Sequence, residues 1–199
     1  MTKQEEILLA AEEEFFMNGY NATSTATIAH KAGVTHAMVN YYFKNKEKLF
    51  IKILDNHVYE LLESIKPLML EEGNAAGVAI AAAEAIFDKM NKNRRFPFLL
   101  SDISRTHPDF LLRYREDFET VCRDSIRKHV ERLGKCIENG EVRPCTMNDI
   151  YCSILMLSTA PFISIPLLEN VACMSSSRID EFLMDRKKEM TRILRARYV

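Results

Sequence analysis

Residues 23–49 read TSTATIAHKAGVTHAMVNYYFKNKEKL. A small residue, a glycine and apolar residues recur in one register: Ile28, Ala29, Gly33, Val34 and Val39. Two short helices that meet at a steep angle need a small side chain at their closest approach, and Ala29 supplies it. The turn between them needs a positive φ, which glycine adopts at least cost, and Gly33 supplies that. Ile28, Val34 and Val39 fill the wedge, against Leu8, Ala11 and Phe15 of a preceding helix. The spacing predicts helices over about 25–32 and from Thr35 or His36 to about Tyr42, with Thr23, Ser24 and Thr25 as capping candidates.

Charge separates this stretch from its surroundings. The chain has 28 acidic residues in 199 and a net charge of −1. None of the acids lies between Glu14 and Glu47, where about four or five would fall by chance. His30, Lys31, His36, Lys44 and Lys46 sit in the gap. A surface that lies on phosphates excludes carboxylates. A neutral helical subdomain that packs on another protein is the plainer alternative.

Outward from this segment the pattern stays helical. Residues 3–18 carry Ile7, Leu8, Ala11, Phe15 and Phe16 at helical spacing, with Gly19 as a stop. A fourth helix is expected over about 46–64, broken by Pro67 and then Gly73-Asn74. Further helices are expected over 75–91, 95–105, from Pro108 to Asn139-Gly140, over 148–165 and over 178–197. Six glycines and six prolines in the whole chain suit long helices. The expected fold is all-α, with about nine helices: a three-helix head containing a helix-turn-helix, then a larger helical body. The expected boundary gives domains 1–46 and 47–199.

Residues 150–168 run without a charge, near the length that spans a bilayer. Pro161 and Pro166 interrupt them, and Asp149 and Glu169 flank them where Lys or Arg would anchor a span. The expectation is a helix buried on several sides in a core or subunit interface, with no membrane partner. The acidic start, MTKQEEILLAAEEEFF, is no secretion signal. Five cysteines without a CxxC pair argue against a disulfide framework or a zinc site, so a cytoplasmic protein is expected.

The stretches AAEEEFFMNGY and TSTATIAHKAGVTHAMVNYYFKNKEKL together resemble the DNA-binding head of the tetracycline-repressor (TetR) family of bacterial transcription regulators. The resemblance covers residues 7–50 and rests on Gly19-Tyr20, Thr23-Ser24, Ile28-Ala29, Ala32-Gly33-Val34-Thr35, Tyr41-Tyr42-Phe43 and Lys46-Glu47-Lys48-Leu49. Beyond residue 60 only the helical layout and length agree. The resemblance implies a DNA-binding set. Ser24 caps the second helix toward a phosphate, and Thr25 and Thr27 lie on its first turn. Thr35, His36, Ala37, Met38 and Asn40 face the major groove. Tyr41 and Tyr42 offer hydroxyls to phosphates, Lys46 approaches the next phosphate, and Phe43 is core. Asn40 stands where many members carry an aromatic residue. It pairs with adenine, or else meets a phosphate or a neighbouring helix. Met38 either touches a thymine methyl or packs. The recognition helix has no Arg, so guanine readout from it is not expected.

The family likeness further implies a homodimer on a palindromic double-stranded DNA operator, released by an unidentified small-molecule effector. The last two helices are the expected interface, through Ile154, Phe162, Ile165, Ile179, Phe182, Leu183, Met190, Ile193 and Leu194. The effector pocket is expected among Phe87, Met90, Phe96, Phe98, Leu99, Phe110, Tyr114, Phe118 and Met156. Arg94, Arg95, Arg105 and His107 either meet an anionic ligand or are solvated.

Other classes find little support. The histidines at 30, 36, 57, 107 and 129 form no metal pair, and there is no phosphate-binding glycine loop or GxSxG elbow. An enzyme, a catalytic residue, a metal and a cofactor are therefore not expected. Two alternatives remain: a helical interaction module without DNA binding, and a thiol sensor using Cys145 and Cys152, or Cys122 and Cys136, with Arg143 and Arg123 lowering a thiol pKa.

Overall fold

The computed structural model describes the backbone of residues 1–70 and 75–198, and their side chains except at 69, 70, 75, 76, 118 and 120–126. Every regular element among the described residues is helical. There are eleven segments where about nine helices were expected. They are α1 (Lys3–Ala22), α2 (Thr25–Lys31), α3 (His36–Phe43), α4 (Lys46–Leu70), α5 (Ala75–Lys92), α6 (Phe96–Thr106), α7 (Asp109–Leu112), α8 (Arg115–Glu138), α9 (Met147–Ile163), α10 (Ile165–Asn170) and α11 (Ser176–Tyr198).

Four differences from the sequence reading have local causes. Helix α1 does not end at Gly19 but kinks there, at φ 76° and ψ 172°, and adds a last turn to Ala22. Helix α4 runs through Pro67 to Leu70. Glu63 and Pro67 are both exposed, so water can serve the carbonyl that loses its N–H partner. The helix expected from Pro108 to Asn139 divides at Arg113–Tyr114, where the Tyr114 N–H bonds back to the Leu111 carbonyl in a tightened turn. The helix expected over 148–165 ends at Ile163, and α10 restarts behind Ser164 with a proline in its first turn.

The chain divides into two compact units, residues 1–60 with 98–114, and residues 61–97 with 115–198 as far as described. In the first unit, Ile7, Ala11, Phe15, Ile28, Ala29, Val39, Phe43, Leu49 and Phe50 are buried. Ile7 takes the fully buried place expected for Leu8, which is half-buried. An aromatic cluster closes this core. The Phe50 ring lies 4.9 Å from Phe15, 4.8 Å from Tyr20 and 5.6 Å from Phe110. The buried Tyr114 hydroxyl donates to Asp55 Oδ1 at 2.6 Å. Burial first, and that hydrogen bond second, push the Tyr114 phenol well above its ordinary pKa.

In the second unit α5 packs on α9 and α11. Phe87 meets Phe162 with ring centroids 4.8 Å apart. A polar seam joins α5 to α11 through Lys187–Asp88 at 2.6 Å and Thr191–Glu84 at 2.8 Å, and Arg94, just beyond α5, reaches Asp180 of α11 at 2.6 Å. Helix α9 begins at a capping box made by Thr146 and Asp149. Its buried residues, Ile150, Ile154, Ser158 and Phe162, recur every four positions and cover one face only. Within the single chain, then, the helix is covered on one face. Met147–Asn170 is long and apolar enough to cross a bilayer, and 28% of its most apolar 18-residue stretch is buried.

Candidate nucleic-acid interface

The turn between α2 and α3 has the geometry that its sequence demands. Gly33 sits at φ 63°, and its N–H donates to the His30 carbonyl at 3.2 Å. The Val34 N–H returns to the Ala29 carbonyl at 3.0 Å. Nothing stands within 4 Å of a Cβ added at Gly33, so φ alone calls for glycine there. Ile28, Ala29 and Val39 are buried beneath the turn, and Val34 is half-buried.

One side-chain cap fixes the start of each short helix. Ser24 Oγ accepts from the Thr27 N–H at 3.0 Å, and Thr35 Oγ1 accepts from the Met38 N–H at 3.3 Å. Ser24, Thr27, Thr35, His36, Ala37 and Asn40 are exposed, while Thr25 and Met38 are half-buried. Thr25 and His36 are joined across the two helices, Oγ1 to Nε2 at 2.9 Å, and Asn40 Nδ2 lies 3.5 Å from His36 Nδ1. Tyr41 is 80% exposed, and its ring meets the Tyr42 ring edge-on at 5.2 Å. Neither tyrosine hydroxyl has a hydrogen-bond partner among the described residues. Phe43 is buried, as a core residue should be.

Two cations are committed elsewhere. The Lys46 ammonium donates to the carbonyls of Tyr20 at 3.0 Å and Thr23 at 3.1 Å, and lies 4.4 Å from the centre of the Tyr20 ring. It therefore holds the start of α4 on the carbonyl-rich end of α1, a role that sequence reading missed. Thr23, read as a capping candidate for α2, is 3% exposed and donates to the Gly19 carbonyl at 2.8 Å. Lys31 pairs with Glu14 at 3.0 Å and Glu13 at 3.1 Å, and those carboxylates raise its pKa, Glu14 more than Glu13. Lys44, the C-cap of α3 at φ 65°, is exposed and carries no ion pair among the described residues. The Lys46→Ala variant is expected to lose about 1–2 kcal/mol of stability, because two carbonyls and a ring face lose their cation. Urea unfolding followed by circular dichroism checks it, with Lys46→Arg keeping most of the loss away.

The residues expected at a subunit interface fall into two groups. Ile154, Phe162, Ile165, Ile179, Leu183, Met190 and Leu194 are buried inside the second unit, so their side chains are already covered. Phe182 is half-buried and Ile193 is 40% exposed. These two line an open groove between α9 and α11, with Ala160, Pro161 and Arg186. Met156 was expected in the effector pocket. It is 67% exposed and lines this groove as well.

Of the other expected pocket residues, Phe87, Met90 and Phe96 are buried in the second unit. Leu99, Phe110 and Tyr114 are buried and Phe98 is half-buried in the first. Phe118, Cys122 and Arg123 lie outside the described side chains. Arg94 is paired as given above, Arg105 pairs with Asp102 at 3.5 Å, and His107 Nε2 meets Asn21 Oδ1 at 3.0 Å. Among the thiols, burial pushes Cys145 above its ordinary pKa, against the opposing pull of Arg197. That disfavours the thiolate a sensor needs. Cys136 is buried, and Cys152 and Cys173 are exposed and unbridged. Among the described residues no group of three His, Cys, Asp or Glu side chains is placed to hold a metal.

Sequence likeness to known proteins includes the head. Residues 7–53 match the family described as "Bacterial regulatory proteins, tetR family". The chain is 42% identical over 55 residues to the HTH-type transcriptional regulator QacR of Staphylococcus aureus, covering 28% of this chain and 29% of that one. It is 31% identical over 83 residues to the HTH-type transcriptional activator FasR of Mycolicibacterium smegmatis, covering 42% of this chain and 38% of that one. It thus spans well under half the length of these two relatives. The fold as a whole is similar to the crystal structure of a regulatory protein in the tetR family from Rhodococcus RHA1. That likeness has a TM-score of 0.65 at 20% identity and covers 98% of this chain and 97% of that one.

Proposed function

We propose that this chain, whose residues 7–53 match the tetR family of bacterial regulatory proteins, is a transcriptional repressor bound to a palindromic operator as a homodimer. One observation carries the reading. The α2–α3 pair presents capped helix starts, an uncharged face from Thr35 to Asn40 and two free tyrosine hydroxyls, with no carboxylate in the chain between Glu14 and Glu47. Helix α3 enters a major groove, and the hydroxyls and cap N–H groups meet the phosphates beside it. Domains 1–46 and 47–199 then divide the work between reading DNA and sensing the effector.

Dimer formation is supported by the outer face of α9 and its neighbours. Leu155 is 59% exposed, Ile163 45% and Leu167 61%, and Met156 and Ile193 extend the same apolar surface. A single soluble chain rarely leaves so contiguous a stripe open. A second copy covers it, and Phe182 and Ile193 join the contact. Two heads then read two half-sites about 34–36 Å apart. A small molecule taken up by the helical body, against Phe87, Met90 and Phe96, favours a spacing that no longer fits and releases the operator. Such a protein is not an enzyme and works in the cytoplasm.

The test is footprinting of the purified chain on the DNA flanking its own gene, combined with sedimentation. Two protected half-sites and two chains per duplex support the reading, as does affinity that falls with added salt. A chain that sediments as a monomer, or that protects no site, removes it.

A further inference from the structure

We propose that His36 is a positioning residue whose imidazole fixes the amide plane of Asn40, so that base preference in each half-site is set by the pair and not by Asn40 alone. The inference rests on the DNA-binding reading of the head. Asn40 is exposed on α3, where an unrestrained amide would turn freely and present either its oxygen or its nitrogen to the groove. His36 lies one turn before it. The ring is held from its far side by Thr25 Oγ1 at 2.9 Å from Nε2, and the Asn40 nitrogen stands 3.5 Å from Nδ1.

Proton accounting ties the amide orientation to the ring tautomer. With Asn40 Nδ2 toward the ring the amide can only donate, so Nδ1 is the acceptor. The neutral ring then carries its proton on Nε2, which donates to Thr25 Oγ1. Thr25 starts α2 and is half-buried, so the ring is fixed from a second helix. One amide hydrogen of Asn40 is used by His36. The other hydrogen and Oδ1 remain for the groove. A side-by-side donor and acceptor is what the major-groove edge of adenine takes, through N7 and N6. With the ring proton on Nδ1 instead, the amide turns over, Oδ1 accepts from Nδ1–H and the Thr25 hydroxyl donates to Nε2, so each ring tautomer holds one amide orientation. Holding the amide before DNA arrives also reduces the ordering cost of the contact.

The experiment selects binding sites for the full chain from a randomised duplex library and reads base preference at every position. Wild type is expected to enrich a two-fold sequence in which one A·T pair per half-site loses its preference in Asn40→Ala, by roughly tenfold or more. His36→Ala is expected to lose preference at that same pair. Asparagine places Oδ1 where Nδ1 stood, so His36→Asn should restore the preference. Glutamine places its acceptor near Nε2, so His36→Gln should not. Unchanged thermal midpoints show that each variant is folded. The proposal is overturned if His36→Ala leaves the Asn40 position at full preference, if His36→Asn fails as His36→Ala does, or if Asn40→Ala alters no position. Failure of wild type to enrich any sequence overturns the DNA-binding reading itself.

Discussion

Phe50→Ala lowers the stability of the first unit by about 3–5 kcal/mol, the cost of emptying a fully buried aromatic site. Phe50 has 0% exposure and stands among Phe15, Tyr20 and Phe110, three rings drawn from α1 and α7. No small side chain can refill that space, because each neighbouring ring is held by its own helix. Urea unfolding monitored by circular dichroism reads the loss. Leu9→Ala is the control, since Leu9 is 51% exposed and its replacement should change stability by less than about 0.5 kcal/mol. Equal stability of Phe50→Ala and wild type would mean that the cluster is not packed as described.

Gly33→Val costs about 3 kcal/mol for a different reason, and it abolishes DNA binding even where the chain still folds. At φ 63° a β-branched residue clashes with its own backbone, although no neighbour stands within 4 Å of the new Cβ. Relief requires rotation of φ, and rotation changes the angle between α2 and α3. Gly33→Ala should cost only about 1–2 kcal/mol, and Gly33→Asn less, because asparagine tolerates this conformation. The order Asn, Ala, Val in midpoint loss is the signature to measure. A valine variant as stable as the alanine one would place the turn in another conformation.

The head was legible because its determinants are local. The small residue at 29, the glycine at 33 and the apolar residues at 28 and 39 fall within twelve positions, and all take the expected places. The part of the site that was not legible depends on distant chain segments. Lys46 reads as a phosphate contact by position, yet its ammonium is held by carbonyls 23 and 26 residues away. A helix end offering carbonyls has no sequence signature of its own, although the kink at Gly19 marks where one lies.

The body shows a second limit. On α11 the strongest apolar stripe, Ile179, Leu183, Met190 and Leu194, reads as a contact surface in sequence and is the unit's own core in the structure. Burial selects the most apolar stripe first and leaves the mixed stripe beside it, Phe182, Arg186 and Ile193, on the open groove. On α9 nearly every position is apolar, so periodicity cannot tell the two faces apart. Only the contacts with α5 do so.

The commitment of Lys31 and Lys46 to partners within their own unit bears on how such a head would find its target. Weak, sequence-independent residence on DNA comes almost wholly from free cations that displace counterions. With those two shared with partners in their own unit, and Lys44 and Lys48 left exposed, the proposed regulator would hold random duplex less tightly than a head with all four cations free. Its residence would lengthen where hydroxyls, cap N–H groups and the Asn40 amide all find their acceptors together.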